Sequence, residues 1–379
     1  MVFLLVHNYY AIRGGGEDRV FDAEASLLEA HGHRVVRYTA SNDRIDDVSR
    51  VALAARTVFN RTVYAELREL IKAHKPELVH FHNTFPLVSP GAYYAARDEG
   101  VPVVQTLHNY RLVCPQGNLV RRGRLCSRCV GRVLPWPAVL YGCYRSSRGT
   151  SAVVAAMLAI HRACGTWKSM VNAYIVPNRL ARERFIQGGL PPARVHVKPH
   201  FVPRDPGPGR GGAGAVFVGR LSSEKGVATL LRAWETQRRI PLSIVGEGPL
   251  SGWVRERVAG MPHVAYLGPQ SPERVLELMG NALCVVFPSE CSEMFGLVVI
   301  EAFARGTPVV ASSTDAIREL VDDRRTGLLF ETGNAADLNE KVSLLADQPA
   351  EVRGGLRRVV GRGHQVAAGD VDLVGQPQG

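Results

Sequence analysis

Residues 287–305 read FPSECSEMFGLVVIEAFAR. The apolar run at 283–287, closed by Pro288, has the length and composition of a buried strand. It leads into a loop carrying Glu290 and Glu293, and a helix opens near Phe295 and Gly296 and runs to about Arg305. Glu293 and Glu301 stand eight residues apart, so the first falls at the helix mouth and the second about two turns inside. A helix start exposes unpaired N–H groups and the positive end of its dipole, which suits a diphosphate. One carboxylate is then placed to meet hydroxyls near the phosphates and the other to meet hydroxyls deeper along the helix. A plainer reading stands beside this one: an acidic loop followed by a helix with one polar residue facing solvent.

A second element upstream weighs between them. Residues 216–226 read VFVGRLSSEKG, a strand ending in Gly219, with Arg220 and Lys225 projecting from a tight loop into the next helix. Strand, glycine, then two cations is how a loop neutralises a diphosphate, Arg as a fork and Lys as a point charge.

From these two elements the same alternation extends over the chain. Strands are expected at 2–7, 34–38, 78–82 and 102–107, with Gly14, Gly15 and Gly16 forming a loop before an amphipathic helix that reaches about Ala30. Helices are expected at 62–73 and 90–98. A basic, cysteine-bearing insertion follows at about 111–150, then strands near 173–176 and 195–198. Residues 203–214, PRDPGPGRGGAG, are too rich in Pro and Gly for a core element and read as a flexible linker. Beyond it strands recur at 215–218, 242–245, 264–267, 283–287 and 308–311. Apolar strands alternating with helices imply parallel sheets covered on both faces. The expectation is an α/β chain of two Rossmann-like, doubly wound parallel-sheet domains, 1–202 and 215–350, facing a central cleft where the ligands of such sheets bind. An irregular tail, rich in Gly and Arg, is expected at 351–379.

At 379 residues two domains is the natural division, and 46% apolar with 21% charged residues is ordinary for a globular protein. The net charge of +11 is unevenly placed. No Asp or Glu occurs from Gly100 to Arg182, whereas 12 Arg and Lys fall between Arg111 and Arg182. That block implies a surface that meets anions. The apolar run at 152–160 is far short of the roughly 20 residues that span a bilayer. Seven cysteines, an odd number, with no secretion signal in view, imply a reducing cytoplasm rather than a disulfide framework.

In these features the chain resembles the GT-B glycosyltransferases, and among them the retaining family 4, over nearly its whole length to about residue 347. The pieces are RGGGEDRV at 13–20, TLHNYRLVCP at 106–115, VGRLSSEKG at 218–226, VGEGP at 245–249 and the two glutamates of the first stretch. The resemblance implies that Arg220 and Lys225 hold the donor diphosphate and that Gly219 ends the strand which presents them. Met294, Phe295, Gly296 and Leu297 would offer backbone N–H groups to phosphate and donor sugar. Glu293 would take donor-sugar hydroxyls and Glu301 the ribose. Gly15 and Gly16 would admit the phosphates and the acceptor, His108 would lie near the reacting carbon, and Gly246 and Gly248 would border the nucleobase. The family is generally thought to keep the anomeric configuration by front-face attack, with the phosphate accepting the acceptor's proton. The donor would be a UDP- or GDP-sugar and the acceptor a glycan, a lipid-linked or a small molecule. No cofactor is required for that chemistry, since two side-chain cations make a metal ion non-obligatory, and nucleic acid is not an expected partner. The place of work would be the cytoplasm, at the inner face of the membrane if the basic face reaches lipid. Two departures are visible: Lys198-Pro199-His200 carries His where such relatives usually have Asn, and the sequence after about residue 350 does not resemble the helix that in such relatives crosses back to the first domain.

Several residues keep two readings. His108 is a cleft residue or a hydrogen-bonded core histidine, and His7, His80 and His82 read as structural. Cys114, Cys126, Cys129 and Cys143 form C-x11-C-x2-C-x13-C, a structural zinc set or free cysteines in a loop. Trp136, Tyr141 and Tyr144 among arginines suit an anionic membrane surface or a solvated basic face. Two competitors stand outside catalysis: a silent nucleotide-sugar-binding partner, and a basic nucleic-acid-binding protein, which leaves Glu293 and Glu301 unexplained.

Overall fold

The computed structural model describes residues 1–10, 15–45 and 48–347. Arg13 and Gly14 of the first glycine loop and the tail expected at 351–379 lie outside the described residues. The chain divides into two compact units, Met1–Pro199 and His200–Gly379.

The first unit runs β1 (Val2–Tyr9), α1 (Gly16–Ala30), β2 (Arg34–Ser41), α2 (Arg50–Val58), α3 (Arg61–His74), β3 (Leu78–Phe81), α4 (Gly91–Asp98) and β4 (Val103–Thr106). The insertion then contributes a small hairpin, β5 (Val120–Arg121) and β6 (Arg124–Leu125), and the short helix α5 (Trp136–Leu140). After it come α6 (Arg148–Ala163), α7 (Thr166–Ser169), β7 (Ala173–Val176), α8 (Arg179–Gln187) and β8 (Val195–Val197). Six strands form one parallel sheet in the order β2-β1-β3-β4-β7-β8. β1 sits between two neighbours with Phe3 opposite Val35 on one side and Leu78 on the other. Phe3 to Asn8 are therefore buried without the alternation of a half-exposed strand, as a parallel sheet covered on both faces requires. The helices start where side chains satisfy their first N–H groups. Asn60 accepts from Thr62 and Val63 at α3, Ser147 from Thr150 at α6, and Asn178 from Ala181 at α8. The apolar run at 152–160 lies within α6, which turns Val154, Ala155, Met157 and Leu158 into the core. Among the described residues no helix is long and apolar enough to cross a membrane.

The second unit runs β9 (Ala215–Val218), α9 (Val227–Thr236), β10 (Leu242–Val245), α10 (Ser251–Val258), β11 (Val264–Gly268), α11 (Pro272–Gly280) and β12 (Cys284–Phe287). It continues with α12 (Leu297–Ala304), β13 (Val309–Ser312), α13 (Asp315–Arg318), β14 (Gly327–Phe330) and α14 (Ala335–Asp347). The parallel sheet has the order β11-β10-β9-β12-β13-β14, which places the reversal of strand order between β9 and β12. Trp234 on α9 anchors one face, fully buried with its indole N–H donating to the Ile240 carbonyl at 2.8 Å. β14 was not expected from the sequence: GLLF is only four residues long and opens on a glycine.

The Pro/Gly-rich segment read as a flexible linker is bound to this unit instead. Gly209 N–H donates to Arg305 O and Gly211 N–H to Gly280 O, each at 2.8 Å, while the Arg305 guanidinium donates to the carbonyls of Pro206 and Gly207. Glycine serves here for proximity, because a Cβ on Gly209 would lie 2.1 Å from the Gly280 carbonyl oxygen.

Candidate functional site

In the second unit the loops leaving β9 and β12 lie side by side at the point where strand order reverses, the place where doubly wound sheets bind ligands. Gly219 N–H donates to Val245 O at 3.0 Å, and the loop then turns through a short 3-10 segment, Ser223–Lys225, into Gly226. Gly226 adopts φ 68°, and a Cβ there would stand 1.8 Å from the Pro288 carbonyl oxygen, so the glycine lets the two loops meet. Polar contacts stitch them together. Glu290 N–H donates to Glu224 O at 2.9 Å, Ser289 Oγ lies 3.2 Å from the same carbonyl, and Thr229 Oγ1 donates to Glu290 Oε1 at 2.6 Å.

At the centre Lys225 Nζ lies 2.6 Å from Glu293 Oε1, and the Ser289 hydroxyl donates to the same oxygen. Burial opposes charge on Glu293, but the Lys225 ammonium and the hydrogen bonds from Lys225 and Ser289 outweigh it and hold the carboxyl below its usual range. Lys225 mirrors this: burial works against the ammonium, and the Glu293 carboxylate carries it above the usual lysine value. Cys291 beside them is pushed up to about 12, first by burial and then by Glu293, so it stays a neutral thiol.

Met294 and Phe295 are buried, and Gly296 caps α12 with φ 119°. Leu297 is the first residue of that helix, and Glu301 within it is only 4% exposed. The plainer expectation of a polar residue facing solvent is thereby overturned for Glu301. Arg220, by contrast, is exposed. Gly246 and Gly248 pack against the β9 loop, where Cβ atoms would lie 2.0 Å from Gly219 O and 2.5 Å from Leu221 O. Their glycine character is explained within the unit. His200, the first departure noted above, sets its ring edge-on to Phe295 with centroids 5.0 Å apart. The second unit thus brings together Gly219, Arg220, Lys225, Gly246, Gly248, Glu293, Met294, Phe295, Gly296, Leu297 and Glu301.

Gly15, Gly16 and His108 belong to the first unit. Gly15 is the N-cap of α1 and Gly16 its first residue; the nearest atom a Cβ on Gly15 would meet is Asp18 Oδ2 at 4.0 Å, so packing does not demand glycine there. His108 Nε2 lies 3.0 Å from His82 Nδ1 with the rings stacked, and it lines a cavity of about 40 Å³ together with Glu17, Asn109 and Arg111. Behind it runs a buried polar network that sequence reasoning missed. Glu24 Oε2 lies 3.5 Å from His82 Nε2 and 3.7 Å from His80 Nδ1, and Lys198 Nζ lies 2.5 Å from Glu24 Oε1. His80 Nε2 pairs with Thr106 Oγ1 at 2.8 Å, and His7 Nε2 with Asp18 Oδ1 at 2.8 Å. The available signal was spacing: Glu17 and Glu24 are seven apart, which puts them on one face of α1. Glu24, His80 and His82 have ligand atoms within 4.8 Å of one another. Lys198 already neutralises the carboxylate, so the set reads as a charge-balanced core network rather than a metal centre.

Two six-stranded parallel-sheet units, the second in the 3-2-1-4-5-6 order of the dinucleotide-binding sheets, define a GT-B protein. Residues 14–205 match the model described as Glycosyltransferase Family 4, and residues 213–348 that described as Glycosyl transferases group 1. A phosphatidyl-myo-inositol mannosyltransferase of Mycobacterium leprae is 34% identical over 95% of this chain and 88% of its own length. The chain belongs to glycosyltransferase family 4. A glycogen synthase of Mycobacterium tuberculosis is 30% identical over 74% of this chain, which spans 62% of that relative's length. The crystal structure of Anabaena HepE in complex with UDP matches with a TM-score of 0.66 at 17% identity, covering 97% of this chain and 95% of that one.

The ion pair and the buried histidine make two expectations. Lys225→Met should destabilise the second unit by roughly 3 kcal/mol in urea unfolding, because it leaves the Glu293 charge without its counter-ion. Adding Glu293→Gln should restore much of the loss; equal losses in the single and double variants would show that the stranded Glu293 charge is not their cause.

Burial lowers the His80 pKa from 6.5, so the folded state holds fewer protons than the unfolded chain in this range. The stability this confers is complete above 6.5 and is lost as pH falls through the lower folded value. Thermal melts should therefore decline below pH 6.5, less steeply in His80→Asn; parallel slopes would remove His80 as a cause.

Proposed function

We propose that this chain transfers a sugar from a UDP- or GDP-sugar to a glycan, lipid-linked or small-molecule acceptor, with retention of configuration. The observation that carries the reading is the partly buried Lys225–Glu293 pair at the mouth of a glycine-capped helix, with Glu301 buried behind it. A diphosphate takes the Lys225 ammonium, the exposed Arg220 fork and the N–H groups at Met294, Phe295, Gly296 and Leu297. Glu293, relieved of its lysine, accepts hydroxyls of the donor sugar, and Glu301 those of the ribose. Gly246 and Gly248 border the base. Cations and N–H groups aimed at the diphosphate stabilise the charge that grows as the bond from the anomeric carbon to phosphate oxygen breaks. The acceptor oxygen bonds to that carbon from the same face and its proton passes to the departing phosphate.

The acceptor is assigned to the first unit. The contact that holds His108 to His82 supports His108 as the residue that orients it, and the absence of a packing demand at Gly15 supports Gly15 and Gly16 as the point where a ligand comes close to the backbone. The relatives named as a mannosyltransferase and a glycogen synthase support a sugar donor, and the UDP of the Anabaena structure supports the uridine form.

Isothermal titration with UDP and GDP tests the donor site. One nucleotide should bind, and Arg220→Ala should weaken it tenfold or more, the value of about one charged hydrogen bond. Binding of neither would sink the donor reading and favour the silent-partner alternative.

We also propose that the insertion reaches an anionic membrane. Leu125, Val133, Leu134, Trp136 and Leu140 are exposed among arginines, of which Arg121 stacks on Tyr141 at 4.2 Å and Arg132 on Trp136 at 5.7 Å. Co-sedimentation should be stronger with anionic than with neutral vesicles and should fall with salt; no difference between the two would end the idea.

A further inference from the structure

The insertion is poor in the means to hold itself together. Its strands β5 and β6 have two residues each and α5 has five, while Leu125, Val133, Leu134, Trp136 and Leu140 face solvent. A module with so little core needs a staple. Its backbone nevertheless gathers the four cysteines from separate pieces. Cys114 opens a turn closed by Gly117 N–H to Cys114 O at 2.8 Å. Two residues on, the Gln116 amide, once turned so that its NH2 faces them, donates to Val120 O at 3.1 Å and to Cys143 O at 3.3 Å, tying that turn to the hairpin and to the far end of the insertion. Cys126 N–H donates to Leu119 O at 2.7 Å, and a turn with Val130 N–H on Ser127 O presents Cys126 and Cys129 together.

We propose that Cys114, Cys126, Cys129 and Cys143 bind a structural zinc ion as four thiolates. A central C-x2-C with two outer cysteines is the tetrahedral donor set of such sites. Cys129 is buried at the centre of the insertion. Binding as thiolates displaces four thiol protons to solvent. The product carries two negative charges in a block from Gly100 to Arg182 that has no Asp or Glu and 12 Arg and Lys. The anion therefore answers a cationic neighbourhood that lacks carboxylates. No three of the sulfurs lie within 4.8 Å of one another among the described residues, so binding has to draw them together. The Cys129 sulfur, one of these, lies 3.9 Å from Pro135 O.

The test uses the full chain, expressed with zinc and purified without chelator, with metal measured by plasma mass spectrometry. About one zinc per chain is expected, lost in Cys126→Ser/Cys129→Ser and kept in Cys164→Ser, an exposed cysteine outside the set. Cobalt exchanged into the wild-type protein should show intense thiolate-to-metal charge-transfer bands, a readout that does not depend on any variant folding. Sub-stoichiometric zinc, zinc retained in the paired variant, cobalt spectra without thiolate bands, or an intact mass showing disulfides would each overturn the proposal.

Discussion

The second unit depends on one ion pair. Lys225 comes from the loop after β9 and Glu293 from the loop after β12, and their contact at 2.6 Å joins the two central strands of the sheet beyond their hydrogen-bonded ends. Desolvating two charges is costly, and the pair persists because Ser289 adds a hydrogen bond and Gly226 lets the backbones approach. The surrounding contacts follow from it: the Glu224 carbonyl shared by Glu290 and Ser289, and Thr229 on Glu290. Loops held this firmly present fixed donors and charges, which electrostatic catalysis requires.

The first unit applies the same sheet architecture to a different chemistry. Its ionisable network is made of histidines and carboxylates from β1, α1, β3 and the loops after β3 and β4, balanced by Lys198 beyond β8. His108 stands at the outer end of that network and so inherits its orientation from groups it does not touch. One unit offers cations and helix N–H groups, the other imidazoles.

Strands with unbroken apolar runs, such as Leu4 to Val6 and Val285 to Phe287, were legible because burial on both faces leaves no other composition. The strand–glycine–cation loop and the spacing of Glu293 and Glu301 were legible because local geometry alone brings them to one end of the sheet. What escaped depends on distant partners. Glu24 is an ordinary helical glutamate until β3 and Lys198 close around it. β14 becomes a strand because β13 is there to pair with, Val309 opposite Gly327. The proline- and glycine-rich stretch was misread as flexible because composition reports backbone freedom and says nothing about a carbonyl waiting at Gly280.

That stretch carries a consequence for how this sequence can drift. A side chain at Gly209 would strike Gly280 O at 2.1 Å, one at Gly212 would strike Asn281 O at 2.1 Å, and one at Gly280 would meet the Arg305 guanidinium at 2.5 Å. Arg305 in turn holds the carbonyls of Pro206 and Gly207. Gly209 and Gly212 cannot accept a side chain while the backbone at 280–281 keeps its place, and a side chain at Gly280 would displace the Arg305 guanidinium. A side chain at 209 or 212 therefore asks the 280–281 backbone to move, so the route of the segment and the end of α11 are coupled in any change the sequence makes there.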